Sequence, residues 1–232
     1  MELQDRHVVI TGGTGVLGTA VVGRLLEAGA LCHVPYRGAA QAAQFPYRDR
    51  PGVTLVMVED LADEASVDRF YSALPQLWAS IHVAGGFAYG PVATTGKVAL
   101  LGQLDENLVS CFLCCRAALK PMLAGPGGRI VNVAARPALE WRSGAHMAAY
   151  TASKAAVAAL TVALAQEVAA KNVLVNAVAP SIIDTPANRL AMPDADHASW
   201  PKPEAIAEII CHLASPANQV ARGAIVPVYG SA

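Results

Sequence analysis

The sequence predicts an α/β fold, a doubly wound parallel sheet with helices on both faces, on three observations. Short runs rich in Val, Ile and Leu alternate with helix-forming stretches along the whole chain. Those runs are continuously apolar, as strands buried on both faces must be. A cluster of glycines falls at the first strand-to-helix junction, where a right-handed crossover would begin. The chain of 232 residues has the size of one such unit, and no repeat, linker or low-complexity stretch divides it. Residues 1–232 are therefore expected to form a single domain.

The elements follow in order. "HVVIT" (7–11) is the first strand, and a helix pattern runs from Val16 to Ala28 after the glycines. "LCHVPY" (31–36) and "VTLVMV" (53–58) read as strands, the first weakened by Pro35. A helix opened by acidic residues spans about 63–73. "ASIHVAG" (79–85), "RIVNVA" (129–134) and "VLVNAVA" (173–179) are the next strands, with helix patterns at 104–123 and 149–171 between them. A helix over 203–214 and a strand "AIVPVY" close the chain. The stretch "PANRLAMPDADHASW" (186–200) is polar and carries two prolines, so a mobile substrate lid is expected near 186–202.

Composition excludes several functions. Hydrophobic residues make up 54% and charged residues 15%, which supports a large core and argues against disorder. A net charge of -1 offers no basic field for nucleic acid or an anionic membrane, and neither is expected as a partner. "MELQDRHVVI" has no long apolar run behind a basic start, so a cytoplasmic location with five reduced cysteines is expected. Cys111 and Cys114 form a Cys-x-x-Cys, but "LVSCFLCCRAAL" reads as an apolar helix and no second Cys/His pair follows at finger spacing. With the six histidines scattered, no metal is expected.

The chemistry-bearing motifs all fall at the carboxyl ends of the strands, where ligands bind in such sheets. Gly12, Gly13, Gly15 and Gly18 stand between the first strand and its helix. Glycines there permit a tight turn and close approach of a pyrophosphate to the free N–H groups of the helix start. That makes Gly12, Thr14, Gly15, Val16, Leu17 and Gly18 candidate dinucleotide contacts. At the end of the second strand, an acidic residue would read the ribose of NAD and a basic one the extra phosphate of NADP. Tyr36 and Arg37 stand there, which favours NADP, with NAD as the alternative. Asp60 and Leu61, after the third strand, are placed to meet the adenine, although Asp60 could equally be a helix N-cap. Tyr150 and Lys154 are four apart in "AAYTASKAA" and share a helix face. An ammonium beside a phenol lowers its pKa, which suits an acid–base catalyst.

"TGGTGVLG", "VAGG", "ENLVSCFL", "YTASK" and "NAVAPSIIDTP" occur in the order and at the spacing of the short-chain dehydrogenase/reductase family, and the chain resembles that family over essentially its whole length. The resemblance implies a single Rossmann-like domain, often a homodimer or homotetramer, that moves hydride between a nicotinamide cofactor and a small molecule. It implies that Tyr150 is the acid/base and that Lys154 lowers its pKa and holds the nicotinamide ribose. It implies too that the backbone of Asn107 keeps a relay water near that lysine. Ala84, Gly85 and Gly86 resemble the family's turn against the cofactor, with His82 and Val83 in place of two asparagines. Pro180, Ile183 and Thr185 resemble the segment that closes over the nicotinamide.

Two departures bear on function. The 12-15-18 glycine spacing is the form usual in the family's extended members. The serine that holds the substrate oxygen is missing: the usual count lands on Pro137, or on Ala135 if the loop carries two extra residues, while Ser143 in that loop could reach back. Losing one such donor costs about 3 kcal/mol. The "HVAGGFAYG" and serine-free "NVAARPALE" stretches are similar to dihydropteridine reductase, which does without it. The expectation is an NADPH-dependent reductase of a carbonyl or a conjugated C=O/C=N group, with Phe87, Tyr89, Ala135 and Trp141 toward the substrate. The alternative is a catalytically weak relative serving as an NADP-binding sensor or assembly subunit.

Overall fold

A computed structural model describes residues 3–231. Seven parallel strands form one sheet in the order β3-β2-β1-β4-β5-β6-β7. The strands are β1 (His7–Thr11), β2 (Leu31–Tyr36), β3 (Val53–Met57), β4 (Leu77–His82), β5 (Gly128–Val133), β6 (Val173–Pro180) and β7 (Ile225–Val228). The helices are α1 (Val16–Glu27), α2 (Ala39–Gln44), α3 (Glu64–Ser72), α4 (Lys97–Leu104), α5 (Ser110–Ala124), α6 (Ala148–Glu167), α7 (Pro186–Ala191) and α8 (Pro203–Ala214).

Alternation along the strands builds a separate core on each face. Val8 and Ile10 of β1, Ile81 of β4 and Val131 of β5 face α1 and α8, meeting Val21, Leu25, Ile206 and Ile210. Val9, Ile130 and Val175 point the opposite way, into Val67 and Phe70 of α3, Cys114 and Met122 of α5, and Val157 and Leu164 of α6. The i, i+4, i+8 spacing of Leu17, Val21 and Leu25 supplies the buried stripe that docks α1.

The expected strands are present, and Pro35 is accommodated within β2. Three differences have physical causes. β4 ends at His82 and not at 85, because Val83 and Ala84 leave the sheet to donate to the backbone and hydroxyl oxygens of Thr11. The helix expected over 104–123 begins at Lys97 and runs through a π-helical turn at Asp105–Val109 into α5. α2 stands between β2 and β3 with no sequence signal, because it buries no residue and so leaves no apolar period. The stretch expected as a lid contains α7 and a short turn at His197–Ser199, with Trp200 buried and Asp184 paired to Arg189.

Two helical runs, Lys97–Ala124 and Ala148–Glu167, are apolar and long enough to cross a membrane by composition, and 39% and 33% of their apolar windows are buried within the protein. Both pack one face on the sheet.

Candidate active site

The cleft at the carboxyl ends of β1 to β4 has a volume of about 640 Å³. The strand order places it where the sheet turns back on itself, between β1 and β4. One wall is the first strand-to-helix turn. Gly12 has a φ of +67°, and a Cβ on Gly18 would lie 2.1 Å from the Gly12 carbonyl oxygen, so the turn tolerates only glycine at both positions. Gly15 precedes α1 as an N-cap without a side-chain hydrogen bond, and the first turn carries no acidic residue. The uncapped, positive end of the helix dipole therefore lies at a cradle that a Cβ would fill, and this fits a dinucleotide's pyrophosphate.

Gly12, Thr14, Gly15, Val16, Leu17 and Gly18 line this wall, with Tyr36, Arg37, Asp60 and Leu61 at one end and Ala84, Gly85, Ile183 and Thr185 at the other. The Arg37 guanidinium joins none of the ion pairs among the described residues, while its backbone N–H donates to Gln41 Oε1. Asp60 is not the cap of α3: it accepts from the backbone N–H of Ala62, and Asp63 caps the helix by accepting from Ser66. Gly86 does not line the cleft, and Pro180 is buried at the end of β6. The Thr185 hydroxyl caps α7 by accepting from the Asn188 N–H.

Sequence reasoning missed Gln41, Glu59 and the far wall, formed by Gly102, Asp105, Glu106 and Ser110. Glu106 crowds Gly86, where a Cβ would meet its carboxylate.

Tyr150 and Lys154 stand on the first turns of α6. Lys154 is buried and its Nζ donates to the Val133 carbonyl oxygen at 2.8 Å. Burial lowers its pKa to about 8, against a smaller opposing influence of Cys111. Burial raises Tyr150 to about 12, so the expected lowering of its pKa by Lys154 is not seen: loss of hydration sets the shift. The Phe87 ring meets the Tyr150 ring edge-on at 5.0 Å.

Asn107, in the π-helical turn, acts through its side chain. Its Oδ1 accepts from Gly86 N–H, and its Nδ2 donates to Gly86 O, Gln103 O and Ser153 Oγ. It thereby staples the Ala84–Gly86 turn to α6, and a Cβ on Gly85 would fall 2.5 Å from Asn107 Oδ1 and 3.2 Å from Lys154 Nζ.

Phe87, Tyr89 and Trp141 are 62%, 67% and 74% exposed, aromatic surface with little protein cover. Ala135 is buried just beyond β5, with a methyl group where a hydroxyl was sought. Ser143 does not reach back: its Oγ donates to the Glu140 carbonyl oxygen on the exposed loop.

Beneath the site lies a polar cluster that sequence spacing did not show. His82 Nδ1 is 2.8 Å from Asn132 Oδ1, and its Nε2 is 2.8 Å from Ser80 Oγ, which contacts the Tyr71 hydroxyl. Cys111 and Cys115, one turn apart on α5, approach the same imidazole. All five cysteines are free and buried.

The family described as "short chain dehydrogenase" matches residues 6–196. Galactitol 2-dehydrogenase of Rhizobium johnstonii is 34% identical over 243 residues, covering 98% of this chain and 95% of that protein. The 3-oxoacyl-[acyl-carrier-protein] reductase of Bos taurus is 31% identical over 185 residues, covering 78% of this chain and 77% of that one. Among solved structures, a short chain dehydrogenase/reductase family protein superposes with a TM-score of 0.91 at 28% identity, covering 99% and 98% of the two chains. ElxO with NADP bound superposes with a TM-score of 0.87 at 23% identity over 98% of each chain, a likeness of fold.

Proposed function

The chain belongs to the short-chain dehydrogenase family of NAD(P)-dependent oxidoreductases, and from that premise we propose that it is an NADPH-dependent reductase of a small carbonyl or conjugated C=O/C=N compound. One observation carries the reading. Buried Lys154 lies against Gly85 at the inner wall of the glycine-cradled cleft, one helical turn from Tyr150.

The residues present divide the work. Gly12 to Gly18 hold the pyrophosphate, and unpaired Arg37 suits the extra phosphate of NADP. The galactitol and 3-oxoacyl relatives support hydroxyl/carbonyl chemistry. The bound cofactor supplies the hydride. Tyr150 supplies the proton to the substrate oxygen, and its high pKa keeps the phenol protonated throughout the neutral range. Lys154, charged below about pH 8, stabilises the phenolate left behind. Phe87, whose ring meets Tyr150 edge-on, offers an apolar contact for the substrate beside the proton donor.

The test is oxidation of NADPH and NADH by purified protein against a quinonoid dihydropteridine, a 3-oxoacyl thioester, an aromatic ketone and a diketone. The expected result is NADPH-dependent turnover that falls at least about a hundredfold in Tyr150→Phe while cofactor binding persists. Replacing Arg37 with Ala should weaken NADPH about ten- to a hundredfold, the loss of a charge-assisted phosphate bond, and leave NADH nearly unchanged. Cofactor binding without turnover on any substrate would turn the reading toward a sensor. No cofactor binding would overturn it.

A further inference from the structure

We propose that His82, Cys111 and Cys115 form a soft-metal site, selective for Zn²⁺, in the core beneath the catalytic residues. The three ligand atoms lie within 4.8 Å of one another, and all three residues are buried. His82 Nδ1 is 3.5 Å from Cys115 Sγ and 3.9 Å from Cys111 Sγ, and Asn132 Oδ1 is 3.6 Å from Cys115 Sγ. A tetrahedral zinc with ordinary Zn–S, Zn–N and Zn–O bonds has S···N and S···O edges of about 3.6 Å. Three of the six edges of a Cys₂-His-carbonyl tetrahedron are thus nearly in place, and the two Sγ atoms lie within 4.8 Å of each other. A further edge, His82 Nδ1 to Asn132 Oδ1, is a hydrogen bond of 2.8 Å and has to open as the metal takes the proton's position.

The charges also close. Two thiolates neutralise one Zn²⁺, so the occupied site adds no net charge to the core, whereas Cu⁺ with the same ligands would leave a buried negative charge. Each Cys gives up one proton, and His82 remains neutral by carrying its proton on Nε2 instead of Nδ1, so two protons leave per metal bound. The surroundings permit that exchange. His82 Nε2 faces Ser80 Oγ, and Ser80 and Tyr71 share a contact in which either hydroxyl can donate, so rotating hydroxyls accepts the new tautomer. Asn132 is held by the bond from its Nδ2 to Thr161 Oγ1, which aims its carbonyl oxygen at the cluster. His82 stands on β4 just before the Ala84–Gly86 turn, and Cys111 is one turn beyond Asn107. A metal here would therefore tie β4 to α5 directly under the cofactor-binding turn.

The ligands are enclosed, so loading should accompany folding. The protein is unfolded and refolded anaerobically with Co²⁺ as a spectroscopic substitute for Zn²⁺, then freed of unbound metal. We expect about one Co²⁺ per chain, with intense thiolate-to-cobalt absorption and the visible bands of a tetrahedral ion. Refolding with Zn²⁺ should raise the thermal midpoint by several degrees. Cys111→Ser/Cys115→Ser and, separately, His82→Asn should lose the metal, while Cys114→Ser, whose thiol faces Tyr71, should retain it. Should the double variant fail to refold, Cys115→Ala alone serves, read as loss of half the thiolate absorption or of the metal. Refolded wild-type protein without thiolate-to-cobalt absorption overturns the proposal, as does metal retained undiminished in the Cys and His variants.

Discussion

Ala135 puts a methyl group where the resemblance expects a hydroxyl, and Ser143 is turned away to Glu140. On the proposed function, stabilisation of a developing oxyanion would then rest on Tyr150. A donor in that position is worth about 3 kcal/mol when preorganised. Ala135→Ser should accordingly raise kcat on an aromatic ketone by about tenfold or more, part of the full value, because the pocket was not built around it. A substrate that needs no second donor would show no gain, so comparing the two substrates identifies which chemistry the site serves. Lys154 carries a second prediction. Its pKa of about 8 lies below the ordinary value of 10.5, so the cofactor-free protein releases this proton around pH 8, where an exposed lysine would still hold it. If a bound dinucleotide needs the ammonium, NADPH affinity is full below pH 8 and falls above it by up to about tenfold per pH unit. Fluorescence titration of NADPH from pH 6 to 10 reads this, and Lys154→Met should bind weakly with no step near pH 8.

At the scale of elements, the β1–α1 turn is both structure and site. Gly18→Ala would drive a Cβ into the Gly12 carbonyl, at 2.1 Å, and no flexible side chain stands there to yield. The expected outcome is a loss of NADPH binding of about a hundredfold or more, checked by equilibrium titration, with the circular dichroism of the other helices retained. This turn was legible in the sequence because glycine spacing and the following apolar stripe of α1 point to one geometry. So were Tyr150 and Lys154, whose i, i+4 spacing survives as a shared helix face. The far wall was not. Gly102, Asp105, Glu106 and Ser110 reach the cleft only because α4 continues through a π-helical turn into α5, and the phase change of that turn is invisible to a 3.6-residue pattern. The His82–Cys111–Cys115 cluster was hidden for a different reason. β4 and α5 bring together residues 29 positions apart, a tertiary proximity that local ligand spacing does not encode.

For the whole molecule, the two apolar helical runs leave a surface that the sheet does not cover. On α4, Val98 is 86% exposed; on α5, Phe112 is 49% and Leu123 47%; on α6, Val162 is 49%. Large apolar side chains left exposed on three helices suit a face that another chain covers. With a net charge of -1, the chain presents little electrostatic opposition to a second copy, and the alanines of α6 allow close helix approach. We propose a symmetric homodimer, or a tetramer built from it, through α4, α5 and α6. Sedimentation of the wild-type protein should give a dimer or tetramer, and Phe112→Glu with Val162→Glu should shift it to monomer, since each charge would otherwise be buried without a partner. The tie to function is physical. α5 and α6 carry Asn107's neighbours and the Tyr150–Lys154 pair, so removing the cover over their outer faces should loosen the site. The monomeric variant should therefore lose turnover, and NADPH affinity only in part, because the glycine cradle at the start of α1 packs apart from these helices while the far wall of the cleft, Asp105 to Ser110, rides on them. A wild-type monomer, or a monomeric variant with undiminished kcat, would separate assembly from catalysis and defeat this part of the reading.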